Sequence, residues 1–275
     1  MSMLRSRNPA FGTFEQSGRF GDSQIAKSES NTMTIGGTVS ATGILLAIVA
    51  AVGIFTWQQM VNGGPMVKFV WPLMIGGFIF GIIISFVIYA KPKSARLLGP
   101  VHAVLEGVFV GALSYFIPMQ FLGNAVDPAL TDPASSNPMQ TLILQAVLAT
   151  FGVAGAMLTG YATGILRVGP LVQKIIITAT LGLVMYTGML FLLQMFGIGI
   201  WNGYADTGMM GIGFTGLSVA LASLFLLLDF QYIEKGVESG APKYMEWVGA
   251  WGLMVTLVWL YIEILRLLAK LQSRD

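Results

Sequence analysis

The chain has 275 residues, of which 55 % are hydrophobic and 10 % charged, with a formal net charge of +2 and a mean hydropathy of +0.75. Soluble domains carry about a quarter charged residues, so this composition excludes an ordinary soluble fold and reads as an integral membrane protein. With no cysteine and a single histidine, disulfide frameworks, thiolate metal sites and multi-histidine centres are excluded, and so small a net charge gives no nucleic-acid footprint.

Residues 1–34 are polar, with scattered glycine and serine, an NPAF at 8–11 and no sustained period. A disordered cytoplasmic tail is expected there, followed by one membrane domain over 35–275. No cleavable secretory segment is expected, because the first apolar stretch begins only near Ile35. Seven stretches of about 20 apolar residues follow, roughly 35–57, 68–90, 99–121, 140–166, 172–196, 208–232 and 244–270. Each is long enough to cross a hydrocarbon core of about 30 Å as a helix. Turn chemistry separates them: NGGP at 62–65, KPK at 91–93, DPASSNP at 132–138, VGP at 168–170 and SGAP at 239–242. The fold class is therefore all-α, a seven-transmembrane helical bundle. Small residues recur every fourth position at Gly77, Gly81 and Ser85, at Gly107 and Gly111, and at Gly152, Ala156, Gly160 and Gly164, where they let helix backbones approach closely in lipid.

Counting lysine and arginine on alternate sides places eleven with the N-terminus and four opposite, namely Lys68, Arg266, Lys270 and Arg274. The positive-inside rule then puts the N-terminus in the cytoplasm. Seven crossings leave the basic C-terminus outside, and the first six spans fix the topology.

Carboxylates at membrane depth cost about 2.5–3.5 kcal/mol each, and they persist where they face a partner, a cavity or an ion path. Asp229, in LFLLLDFQ at 224–231, is expected about a turn from the end of the sixth helix if that helix stops near Ile233, where the helix dipole disfavours an anion. Either headgroup water wets it or the bundle buries it as a functional group. His102 and Glu106 share one face of the third helix at i, i+4, as an ion- and proton-sensing pair or as a hydrogen bond tying helices together. Glu263, nearly 30 Å along the seventh helix, is expected at the far interface in a surface pair with Arg266. Glu246 reads as an acid compensating the dipole at the start of that helix. Enzyme chemistries fail on inventory: Lys270 lies too close to the chain end for a retinal Schiff base, only Asp229 is an intraspan aspartate, and metalloprotease, P-loop and GxSxG signatures are absent. No enzyme is expected.

The stretches LDFQYIEKGVESGAPKYMEW at 228–247 and VTLVWLYIEILRLLAK at 255–270, with Glu106–Gly107 and the NPAF, resemble the bacterial, YccA-like branch of the Bax inhibitor family. The resemblance implies a bundle whose last helix is central, wrapped by the other six, in the inner membrane. It further implies a pH-sensitive calcium leak governed by two aspartates, with calcium or protons as the transported ion and no cofactor. Asp229 matches the first aspartate and is the candidate calcium ligand. For the second, one alignment selects Glu263 and another Thr256, while Glu106 is a substitute at similar depth. The alternative that the resemblance carries is a non-transporting regulator that binds partners such as a membrane protease. A channel requires Asp229 to converge with His102, Glu106 or Glu263 on a wet cavity, whereas a partner-binding protein requires a dry core.

Overall fold

The computed structural model describes residues 31–123 and 138–274. Seven helices are long and apolar enough to cross a membrane: α1 Ile35–Val61, α2 Val70–Ala90, α3 Ala95–Leu122, α4 Pro138–Ala162, α5 Pro170–Met195, α6 Met209–Glu238 and α7 Met245–Gln272. Lipid offers no partner to a peptide group, so each span satisfies its backbone internally as a helix. Among the described residues the breaks are those of the sequence, and the DPASSNP break at 132–138 lies, but for Pro138, outside them. Asn62, Gly63 (φ 65°) and Gly64 end the run of α1, Pro170 opens α5, and Gly240 (φ 65°) turns the chain between α6 and α7.

α7 is the centre. It packs directly on α1, α3, α4 and α6, while α2 leans on α3 and α5 on α6. Within the apolar window 61 % of α7 is buried, against 11 % for α2 and α5, so four helices wrap the last one and two form an outer layer. Large side chains such as Phe86, Tyr89, Leu148 and Phe196 face outward, which is the belt a multi-pass membrane protein presents to lipid.

The Gly107–Gly111 row is a true close contact. A Cβ on Gly111 would lie 2.5 Å from the Gly53 carbonyl oxygen, and one on Gly107 would lie 2.8 Å from Val52 Cβ, so α1 and α3 touch backbone to backbone. The row at Gly152, Ala156, Gly160 and Gly164 is different. Gly152 and Ala156 are exposed, nothing lies within 4 Å of a Cβ on Gly152, and that face of α4 meets no neighbouring helix.

At the end of the bundle where α1 and α7 begin, residues 31–34 belong to the ordered domain, and the expected tail is otherwise outside the described residues. Met33 N–H donates to the Ala241 carbonyl at 2.7 Å and Lys243 N–H to the Asn31 carbonyl at 2.8 Å, forming an isolated antiparallel bridge between Thr32 and Pro242. Met33 is buried among Gly236 and Gly249.

Candidate functional site

α6 continues to Glu238. Asp229 therefore lies about 14 Å before its end, at ~1.5 Å per residue, and not one turn from it as the sequence suggested. Its side chain meets α7 beside Gly252, where a Cβ would stand 3.9 Å from Asp229 Oδ1, and the Thr256 hydroxyl is the polar group that faces it. The second carboxylate oxygen, Oδ2, is buried without a partner. An unpaired buried acceptor is costly, and among the described residues Asp229 Oδ2 is the one carboxylate oxygen left fully buried in this way. Thr256 itself is buried and does not ionise, so the α6–α7 pair is one carboxylate and one hydroxyl.

A second polar group surrounds His102, which is buried on α3. Its Nε2 lies 3.2 Å from Ser85 Oγ on α2, and its ring meets Trp251 of α7 edge-on at 6.1 Å between centroids. His102 Nδ1 and Trp251 Nε1 are both buried without partners. Gly81 of α2 lies beside both, since a Cβ there would be at ordinary contact distance, 3.5 Å from His102 Nε2 and 3.9 Å from Glu106 Oε2. A cavity of about 430 Å³ opens alongside, lined by Ile82, Ser85, Phe86, Tyr89 and Trp251. His102 and Glu106 thus share a neighbourhood, as their spacing predicted.

The structure does not bring this group to Asp229. α3 and α6 share no substantial packing, and α7 lies between them, with Trp251 turned to His102 and Gly252 and Thr256 turned to Asp229. Among the described residues no three His, Cys, Asp or Glu side chains gather as a metal-binding set. Calcium takes about six to eight oxygens, which one carboxylate with one hydroxyl does not supply, so Asp229 is not the centre of a resident calcium cage. The other large cavity, about 320 Å³ between α1, α3, α4 and α7, is apolar apart from Ser114, Thr150 and Tyr261, and the Ser114 and Tyr261 hydroxyls bond each other at 2.7 Å.

Glu263 does pair with Arg266, at 2.8 Å, but the pair is not on the surface. Glu263 is 3 % exposed, and Arg266 stacks on the Tyr204 ring at 4.5 Å. The expected interface is covered because the segment between α5 and α6, residues 196–208, folds over the end of α7. Aromatic contacts hold that segment, with Phe214 packed against Tyr186, Trp201 and Tyr204 at 5.3, 5.9 and 5.0 Å between centroids. In the same segment the Gly208 N–H donates to Asp206 at 2.8 Å and the Trp201 indole N–H at 3.0 Å. The Gly208 amide first, and then the indole, hold the Asp206 carboxyl below the usual carboxylate range. Burial pushes the Tyr204 hydroxyl up.

Glu246 sits in the first turn of α7, where its charge suits the dipole, yet it also reaches across to α1. Its Oε1 accepts from the Thr34 N–H at 3.0 Å and from the Thr34 hydroxyl at 2.8 Å, while Thr34 Oγ1 accepts from the Gly37 N–H. One carboxylate therefore serves the starts of two helices. Sequence reasoning missed Ser85, Trp251 and the burial of Lys270, because serine, tryptophan and a terminal lysine in apolar spans read as packing, anchor and surface charge.

The family described as Bax inhibitor 1 like matches the chain over residues 8–273, all seven helices included. No curated protein and no solved structure matches it. A seven-helix membrane bundle centred on its last helix, matched almost from end to end, places this chain in the Bax inhibitor 1-like family.

Proposed function

We propose that the protein is a proton-responsive cation leak of the bacterial inner membrane, non-enzymatic, of the YccA-like branch, with its N-terminus in the cytoplasm and in a closed conformation here. The observation that carries this reading is Asp229: a carboxylate held between α6 and α7, faced by the Thr256 hydroxyl and with one oxygen buried without a partner. Intramembrane acids that persist against such cost mark ion paths and proton relays. Protonation changes the charge that Thr256 must satisfy, and with it the seating of α6 on α7; calcium or another small cation is cargo in this scheme. His102 and Glu106 form a separate polar station across α7.

The test is calcium flux in proteoliposomes between pH 6 and pH 8. Flux that responds to pH in the native protein, with the response lost in Asp229→Asn and reduced in Glu106→Gln, supports the leak. Flux absent at every pH, with the protein folded, sinks it. The alternative, a non-transporting regulator that binds membrane partners such as a protease, is favoured by one specific feature: α7 separates Asp229 from Glu106, and the large cavities are lined almost wholly by apolar side chains, so the convergence on a wet cavity that a conducting path requires is absent from this conformation and the leak reading requires it to form on opening.

A further inference from the structure

Lys270, in the last turn of α7, is completely buried at 0 % exposure. Lysines at the ends of membrane helices ordinarily extend their ammonium to water. This one turns inward, and each of its three donors finds an oxygen: the Gly203 carbonyl at 2.7 Å, the Thr215 hydroxyl at 2.9 Å and the Gly211 carbonyl at 3.1 Å. The Phe121 ring of α3 closes another side, 5.7 Å from Nζ. Among the described residues no carboxylate bonds it. Asp206 and Glu263 act on it through their field, which Arg266 opposes.

The cage is built by the surrounding chain. A Cβ on Gly211 would fall 2.0 Å from the Asp206 carbonyl oxygen, and one on Gly203 would fall 2.7 Å from the Phe214 ring, so only glycine lets both carbonyls approach. The Thr215 hydroxyl donates to the Gly211 carbonyl at 2.9 Å, which leaves its lone pairs for an incoming N–H. Three oxygens matched to three N–H donors, beside an aromatic face, are the requirements of a primary ammonium group.

We propose that Gly203, Gly211 and Thr215 form a binding site for a primary ammonium cation, which Lys270 fills as a tethered ligand and thereby seats the 196–208 segment over the ends of α6 and α7. This goes beyond the leak reading and stands whether or not the bundle conducts. Removing Lys270 should empty the site and free the segment, and a small alkylammonium should refill it.

The chain has no cysteine, so Ser218→Cys, about a turn from Thr215 on α6 and buried at 1 %, gives a single buried thiol probe beside the site. Its reaction with an anionic methanethiosulfonate reagent in detergent should be slow while Lys270 is present. In Lys270→Ala the reaction should be about tenfold faster or more, as local opening exposes the site. Millimolar n-propylammonium, which replaces the missing part of the side chain, should restore slow reaction, and tetramethylammonium, with no N–H donor, should not. In Lys270→Met, whose side chain fills the space without charge, reaction should be fast and unrescued. Slow reaction in Lys270→Ala, or fast reaction indifferent to n-propylammonium, overturns the site. If Lys270→Ala does not fold, slow reaction in Lys270→Met overturns it equally.

Discussion

Asp206 shows at the scale of one residue how a local hydrogen bond becomes a pH dependence. The Gly208 and Trp201 N–H groups hold its carboxyl below the ordinary range, so its charged form is better stabilised in the folded segment than in the unfolded chain. A depressed folded value contributes stability that is fully present above the unfolded carboxylate value, about 3.9, and lost as the pH falls through the lower folded value. Thermal unfolding in detergent should therefore find Asp206→Asn less stable than the native protein at pH 6, with the difference shrinking as the pH is taken below the unfolded carboxylate value. A difference that persists in acid would mean that Asp206 acts through packing alone. Asp229, farther along the chain on α6, takes its significance from the opposite circumstance: one of its oxygens lacks any partner.

Among the helices, α1 and α3 form the tightest seam, because glycines at 53, 107 and 111 remove the side chains that would hold their backbones apart. In lipid no water is released when helices meet, so this contact rests on dispersion over closely fitted surfaces. Gly111→Ala would drive a Cβ to 2.5 Å from the Gly53 carbonyl and 2.7 Å from Thr56 Cβ, and should cost about 1–3 kcal/mol. Gly152→Ala, which meets nothing within 4 Å, should be neutral or gain up to about 1 kcal/mol from helix propensity. Thermal unfolding of both variants in one detergent checks the contrast, and equal destabilisation would show that glycine spacing alone, and not the contact, governs stability.

The whole molecule is organised by α7, whose two ends are secured differently. At its start Glu246 holds Thr34, and residues 31–34 pair with 241–243; at its end Lys270 and Arg266 are covered by the 196–208 segment. Both ends of the chain's described part are thus tied to the same helix. From the asymmetry of eleven basic residues against four, the positive-inside rule predicts a cytoplasmic N-terminal side. Reporter fusions after residue 30 and within 239–244 should report the cytoplasm and fusions within 124–137 the opposite side. A cytoplasmic signal from 124–137 would break the alternation of seven crossings.

The sequence by itself determined the class, the number of spans, the breaks between them and the family, because each follows from local composition: apolar length, turn residues and a contiguous motif near the C-terminus. It also determined that His102 and Glu106 share a face and that Glu263 reaches Arg266, since i, i+4 and i, i+3 spacing decides such neighbours within one helix. Only the tertiary structure decided that Thr256 faces Asp229, that α7 parts Asp229 from Glu106, and that Glu263 and Lys270 are buried. Helical periodicity places residues around one axis but does not say which helix lies against which face, and in spans apolar on every side no stripe marks the inner face. The cover over Lys270 comes from a connecting segment of ordinary glycine, aromatic and polar residues, whose seating draws on contacts of Gly203 and Tyr204 with Lys270 and Arg266, more than fifty positions away in the chain.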